Sequence, residues 1–189
     1  MFTLIFSGNI LGMRKLLIFG ALLLTINAMG QGTAQDYFRA GLQKHKHKDY
    51  KGAIKEYSKA LDLIPKYRDA LYNRGNCEME LKQYEEASND YTAALDADPK
   101  FAKGYFSRAY LTFTIGNHAD ALPDLDKVIE LDMRMPNALS LRGQIRAETK
   151  NRRGACEDFY RAKALGDTTV LEFIEQVCAG KTTPEAIKK

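Results

Sequence analysis

The sequence predicts an all-α fold built from repeated helical hairpins, and three observations lead there. Gly52-Ala53-Ile54-Lys55-Glu56-Tyr57-Ser58-Lys59-Ala60-Leu61-Asp62-Leu63-Ile64-Pro65 returns as Glu86-Ala87-Ser88-Asn89-Asp90-Tyr91-Thr92-Ala93-Ala94-Leu95-Asp96-Ala97-Asp98-Pro99, at the spacing of about 34 residues over which a helix pair repeats. Small residues recur with the same period, Gly41, Gly75, Ala109 and Gly143 in one set and Ala53, Ala87, Ala121 and Ala155 in another. They mark places where two helices approach closely. Polar pairs lie between the two sets, Lys48-Asp49, Lys82-Gln83, Gly116-Asn117 and Lys150-Asn151, where each hairpin must turn.

In chain order, the first element is a leader. From Met13, Arg14-Lys15 precede the apolar run Leu16 to Ile26, and small residues follow at Ala28, Gly30, Gly32 and Ala34, the layout of a secretory signal peptide. The run is short of the ~20 residues that span a bilayer, and Arg14-Lys15 keep it from merging with Phe2 to Leu11. Residues 1–30 are therefore expected to be a signal peptide, with the true start at Met13 and cleavage near Gly30 or Ala34. The mature protein is then periplasmic or secreted, with no stable membrane span after cleavage; an uncleaved anchor is the alternative. No cysteine follows the run closely enough to make the chain a lipoprotein.

Four hairpins occupy residues 34–169, as copies 34–67, 68–101, 102–135 and 136–169. Asp49, Asn117 and Asn151 are placed to accept hydrogen bonds from the free amides that open a second helix. Pro65 and Pro99 end the first two copies. Pro123 lies inside the second helix of copy three, which predicts either a late start near Asp120 or a kink. Thr169-Val170-Leu171-Glu172 reads as a capping box, followed by Leu171, Ile174 and Val177 or Cys178 at helical intervals. Residues 169–179 are thus expected to form a capping helix over the open face of the last hairpin, and residues 180–189, polar and with Pro184, a flexible tail.

These residues resemble the tetratricopeptide repeat. Tyr37, Gly41, Ala53, Tyr57, Ala60 and Pro65 stand on its pattern in copy one, and Leu71, Gly75, Tyr84, Ala87, Tyr91, Ala94 and Pro99 in copy two. Copy three keeps Tyr105, Ala109, Ala121 and Leu125 but has Met133 for the closing proline; copy four keeps Leu139, Gly143, Ala155, Phe159 and Ala162. The resemblance implies a right-handed superhelical solenoid of four hairpins and a non-catalytic protein-protein interaction module. It also implies that the first helices line a concave groove. The corresponding positions are Phe38, Arg39 and Leu42, then Tyr72, Asn73 and Asn76, then Lys103, Phe106, Ser107, Tyr110 and Phe113, then Ser140, Leu141 and Gln144. Aromatics alternating with amide, hydroxyl and ammonium groups suit an extended peptide, although some of these side chains must serve packing. The variant of this family that grips chaperone C-termini carries Lys and Asn where this chain has Phe38 and Leu42. Asn73 and Lys103 alone match it, and that assignment is rejected.

Composition excludes several other roles. The net charge is +4, two of those charges leave with Arg14 and Lys15, and the remaining bases alternate with acids, so no nucleic-acid surface is expected. Lys44-His45-Lys46-His47-Lys48 is a basic helix end that complements the helix dipole, and His45 and His47 do not face each other for chelation. No phosphate loop, nucleophile motif or zinc spacing is present, so neither catalytic residues nor a metal or other cofactor is expected. Arg74, Arg108 and Arg142 are each followed at constant offset by Asp90, Asp124 and Asp158. They read as a ladder of structural ion pairs, a ligand-binding arginine row being the alternative. Cys77 is expected to be a buried thiol, and Cys156 and Cys178 a disulfide holding the cap in an oxidising compartment.

The expected partner is a protein or peptide bound in the groove. Two other expectations are a structural or self-associating subunit stacked through the array ends, and an accessory component of an envelope enzyme or export complex.

Overall fold

The computed structural model describes residues 32–179. The leader of residues 1–30 and the tail of residues 180–189 lie outside the described residues. Helix α1 (Ala34–Lys46) pairs with α2 (Tyr50–Leu63), α3 (Arg68–Glu80) with α4 (Tyr84–Ala97), and α5 (Ala102–Thr114) with a 3-10 turn (His118–Ala121) that runs into α6 (Leu122–Leu131). Helix α7 (Pro136–Glu148) pairs with α8 (Arg152–Ala164), and α9 (Leu171–Phe173) continues as a π-helical turn (Ile174–Cys178). No strand occurs among the described residues. The fold is an all-α superhelical array of hairpins.

Each first helix ends in the same turn. Asp49 N–H donates to Lys44 O and Lys48 N–H to His45 O, and the pattern repeats with Gln83 and Lys82, Asn117 and Gly116, and Asn151 and Lys150. These paired bonds satisfy the last carbonyls of the helix and require a left-handed residue. That residue is Gly116 in copy three, but it is Lys48, Lys82 and Lys150, at φ of 60°, 60° and 62°, in the others. The second helix then starts within two residues. Asp49 and Asn151 accept from the amides of Gly52 (3.0 Å) and Gly154 (3.1 Å), whereas Asn117 makes no side-chain cap. The expected Asn117 cap is corrected by the 3-10 turn, whose tighter winding opens copy three's second helix. Pro123 sits in the first turn of α6, where its missing N–H has no helical acceptor to lose. The late start, not the kink, is what the chain adopts. One start signal escaped the sequence reading: Thr33 and Asp36 form a reciprocal capping box at the head of α1.

The hairpins close on the recurring small residues. A Cβ built on Gly41 would lie 2.5 Å from Tyr57 Cε1, one on Gly75 2.9 Å from Tyr91 Cε1, and one on Gly143 2.6 Å from Phe159 Cε1. Copy three has Ala109 at this position, and there the facing residue is Leu125 rather than an aromatic. Glycine thus goes with a ring and alanine with leucine, a pairing in which the two side chains together fill the space between the helices.

Three arginines each fasten their own hairpin internally and tie it to the hairpin before it. Arg74 Nε and Nη2 donate to the two carboxylate oxygens of Asp90, each at 2.7 Å, while Nη1 donates to Ser58 Oγ at 3.0 Å. Arg108 does the same with Asp124 (2.8 Å twice) and Thr92 Oγ1 (3.1 Å). Arg142 bonds Asp158 at 2.9 and 2.7 Å and Asp126 at 2.6 Å, and Arg146 adds a further bond to Asp158 at 2.8 Å. Ser58, Thr92 and Asp126 belong to the second helix of the preceding copy, so every one of these guanidinium groups bridges a repeat boundary.

The array ends on a short cap. Val170 is fully buried, Phe173 stacks on Phe159 with centroids 5.4 Å apart, and Cys156 and Cys178 are joined by a disulfide. Two details of the expected cap are corrected. Thr169 makes no capping box with Glu172, because its amide and hydroxyl are held by Asp167 Oδ1 at 2.9 and 2.6 Å. Helix α9 accordingly begins at Leu171, which is exposed; Val170 and Phe173 cover the core in its place. The π turn closes an i→i+5 hydrogen bond, Ala179 N–H to Ile174 O, and Ile174, Val177 and Cys178 pack against the last hairpin.

Candidate functional site

Two adjoining depressions run along the first helices. One, of about 320 Å³, is lined by His45 of α1, Asn76, Met79 and Glu80 of α3, Tyr91 of α4, and Phe106, Ser107 and Tyr110 of α5. The other, of about 370 Å³, is lined by Phe106, Tyr110 and Phe113 of α5, Asn137, Ser140, Leu141 and Gln144 of α7, and Asp167 and Thr169 beyond α8. Phe106 and Tyr110 border both. One helical turn apart, their rings stack with centroids 6.4 Å apart and planes 19° from parallel. They form an aromatic ridge between two recesses, and Tyr110 is 49% exposed on it.

The polar groups of the groove are held in place from behind. The buried Tyr91 hydroxyl donates to Asn76 Oδ1 at 2.9 Å, which fixes the amide and leaves its nitrogen as a donor to the groove. Burial raises the Tyr91 phenol well above its ordinary range, with a smaller contribution from Tyr72, so it serves as a donor at any physiological pH. Across the ridge, Asp167 accepts from the Ser140 hydroxyl and from both the amide and hydroxyl of Thr169. Burial pushes the Asp167 carboxyl up, but these three hydrogen bonds outweigh it and hold the group below its usual range. Asp167 is therefore ionised at neutral pH.

The structure sorts the expected groove positions into two groups. Asn76, Phe106, Ser107, Tyr110, Phe113, Ser140, Leu141 and Gln144 line the depressions. Phe38, Arg39, Leu42, Tyr72, Asn73 and Lys103 line neither. Phe38 is a core residue, 9% exposed and packed on Tyr57 and Tyr67. Tyr72 is half-buried, edge-on to Phe101 at 5.0 Å, with its hydroxyl near Ser107 Oγ at 3.4 Å. The Asn73 amide donates back to Asp69 O at 2.7 Å, and Arg39, Leu42 and Lys103 are exposed to solvent. The physical reason for the division lies between the repeats. In copies one and two an aromatic just ahead of the next first helix, Tyr67 or Phe101, covers Phe38 or Tyr72. Copy three has Met135 at that place, and Phe106 opens to the groove. Tyr67, Phe101 and Met135 recur at one spacing, so this covering could have been read from the sequence. His45, Met79, Glu80, Asn137, Asp167 and Thr169 also line the groove without having been singled out for it; Met79 occupies the repeat position of Phe113.

The remaining expected site residues lie elsewhere. Arg74, Arg108 and Arg142 are each engaged by a carboxylate, as described above. Cys77 is buried, and burial pushes its thiol up to about 12, with Glu78 adding to the effect. Among the described residues no group of three or more His, Cys, Asp or Glu is placed to hold a metal ion, and no helix is long and apolar enough to cross a membrane.

Comparison with known proteins agrees on the architecture. The family model described as tetratricopeptide repeat matches residues 69–101, and a second, described as TPR repeat, matches residues 41–77. No curated protein matches the chain. Among solved structures, the crystal structure of MamA protein superposes with a TM-score of 0.66 at 21% identity, covering 70% of this chain and 72% of that one. A thermophilic TPR protein of Thermus thermophilus superposes at 0.60 with 22% identity, over 72% of this chain and 76% of that one. The first TPR of Spaghetti, solved bound to the HSP90 peptide SRMEEVD, superposes at 0.60 with 24% identity, over 62% of this chain and 94% of that one. At such identities the likeness speaks for the fold. Residues 41–101 carry tetratricopeptide repeats, the hairpins beyond them continue the same fold, and an array of this kind is in general a scaffold for protein-protein interaction.

Proposed function

We propose that this protein is a non-catalytic adaptor that binds an extended segment of a protein partner in the groove along its first helices, outside the cytoplasm. The observation that carries the reading is the Phe106–Tyr110 ridge with a recess on each side. An aromatic pair with one ring exposed and the other seated on the core, flanked by fixed polar groups, is how interfaces anchor a partner, and a recess on each side of it accepts successive side chains of an extended strand. A peptide held by a structure of the same fold gives the reading a precedent. The polar lining supplies orientation in this reading: the Ser140 and Thr169 hydroxyls are both spent on holding the Asp167 carboxylate in place. Placement outside the cytoplasm rests on the leader pattern of residues 13–30 and on a disulfide, which persists in oxidising compartments.

The experiment pairs stability with capture. Melting temperature and capture of partners from the native host are measured for Phe106→Ala, Tyr110→Ala and the unaltered protein. If the ridge anchors a partner, one of the two changes weakens capture by about 30-fold, the scale of an interface anchor, while Tyr110→Ala leaves the fold intact because half of that side chain is already in water. Undiminished capture by both folded variants removes the groove from consideration. Separately, mass spectrometry of native protein should find its N-terminus at Gln31 or Gln35. An intact Leu16–Ile26 segment in soluble native protein overturns the proposed export.

A further inference from the structure

We infer that the groove is built for a segment whose apolar centre is flanked by basic residues, a reading that rests on the proposed groove function and specifies its ligand. Charge complementarity carries it. The protein as a whole is positive, at +4, yet no Lys or Arg is among the described residues lining either recess, while a carboxylate stands toward each far side: Glu80 with the recess on the α3 side and Asp167 with the recess on the α7 side. Between them lie the rings of Phe106 and Tyr110.

Both carboxylates are suited to pairing. Asp167 is held by Ser140 and Thr169, which use up three of the roughly four acceptor directions of a carboxylate and orient the rest. It is also partly shielded from water, so a cation beside it interacts more strongly than on an open surface. Glu80 is the last residue of α3 and exposed, so its contribution is that of a rim charge, which acts through encounter rate and salt dependence. The ridge adds to the same preference, because the face of a tyrosine ring attracts a guanidinium or ammonium group. An acidic segment would meet two like charges and no compensating base except His45. This is the reverse of a groove that grips a terminal carboxylate, for which lysines would have to line the walls.

The test uses two synthetic nonapeptides that share a Leu-x-Phe-x-Leu centre and differ at their ends, Arg-Arg in one and Glu-Glu in the other, titrated into the purified protein by fluorescence anisotropy. The basic-ended peptide should bind about tenfold more tightly at low salt, the sum of two modest charge pairs, with the ratio approaching one at about 0.5 M salt. Glu80→Gln should reduce the ratio without changing the melting temperature, and Asp167→Asn, which keeps an acceptor for Thr169 but loses the one for Ser140, should reduce the ratio while lowering the melting temperature. Equal binding of the two peptides, lost in Tyr110→Ala, overturns the charge assignment and leaves the groove reading standing. Binding that Tyr110→Ala and Phe106→Ala both leave untouched defeats the groove reading itself. A protein that dimerises in sedimentation, and loses both the dimer and a block on peptide binding in Tyr110→Ala, places a second copy in the groove and overturns the basic-segment assignment.

Discussion

Gly143 and Phe159 are in such close contact that a methyl group on the glycine would sit 2.6 Å from Cε1 of the ring. The ring is fully buried and cannot swing aside, so Gly143→Ala is expected to cost about 1 to 3 kcal/mol through overpacking, even though alanine is the better helix former. Phe159→Leu in the same molecule should return part of that loss, because Ala109 and Leu125 already make this combination in copy three. Urea unfolding of the two single variants and the double variant measures the coupling. Strict additivity would show that the helices separate freely and that the shared spacing has no energetic meaning.

Glu78 should make stability fall as pH rises. Its side chain is 10% exposed, Oε2 has no hydrogen-bond partner, and Arg74 Nε lies 3.9 Å from Oε1 while engaged with Asp90. Burial, reinforced by the neighbouring Asp90 carboxylate, raises the group to about 8. A carboxyl whose folded value lies above its unfolded value of about 4.3 stabilises fully below that lower value and loses the contribution as pH climbs through about 8. Glu78→Gln is therefore expected to match the unaltered protein near pH 5 and to melt several degrees higher near pH 9, on the order that a 1 kcal/mol change produces in a domain of this size. Parallel melting curves across pH 5–9 would place the charge in water instead.

Arg142 should be the most sensitive of the three bridging arginines. Its side chain is 10% exposed and that of its partner Asp158 is 1% exposed, whereas the side chains of Arg74 and Arg108 are 25% and 27% exposed. Breaking a buried pair leaves buried charge short of partners: Arg146 still reaches Asp158 Oδ2, but Oδ1 loses its donor, so Arg142→Ala is expected to cost about 3 kcal/mol, and Arg108→Ala closer to about 1 kcal/mol. Loss of the bond to Asp126 also weakens the tie between copies three and four, which otherwise share an apolar core. Unfolding of Arg142→Ala should then show a lower urea m-value, the mark of a less cooperative array. Equal losses at positions 108 and 142 would count against burial as the determinant.

Much of this architecture was legible because the constraints are periodic. The 34-residue recurrence, the glycine and alanine contacts and the Arg–Asp offset all follow from one hairpin geometry imposed again and again. What escaped sequence reading was where that geometry is interrupted. Tyr67 and Phe101 lie against Phe38 and Tyr72, whereas Phe106, with Met135 at the corresponding place, lines both recesses, and Asp167 takes Thr169 away from a helix cap that its spacing with Glu172 would otherwise make. The lysines at the left-handed turn positions were visible as turn residues, but their backbone conformation was not, since polarity alone marks a turn without fixing its φ. The groove's polar rim depended on residues from a helix end and a post-helical segment, which no single-helix periodicity brings together.

The cap at the end of the array is expected to depend on its disulfide. Val170, Phe173 and the packed faces of Ile174 and Val177 give it a small apolar contact, and one bond from Arg152 Nε to Val177 O, at 2.5 Å, ties it to α8. Such a contact is marginal for so short a segment, because helices of this length are unstable alone. Closing the loop between Cys156 and Cys178, separated by 22 residues in sequence, restricts the unfolded chain by about 3 kcal/mol in the chain-entropy model. Cys156→Ser with Cys178→Ser should therefore lower stability by an amount of that order. It should also raise amide exchange in residues 170–178 far more than in α3 or α4, since the loss is local to one end of a quasi-linear array. Alkylation of native protein purified without reductant should leave all three cysteines unmodified, two because they are bridged and Cys77 because it is buried. Rapid labelling of Cys156 and Cys178, or cap exchange unchanged in the double variant, would show that packing alone holds the end of the solenoid.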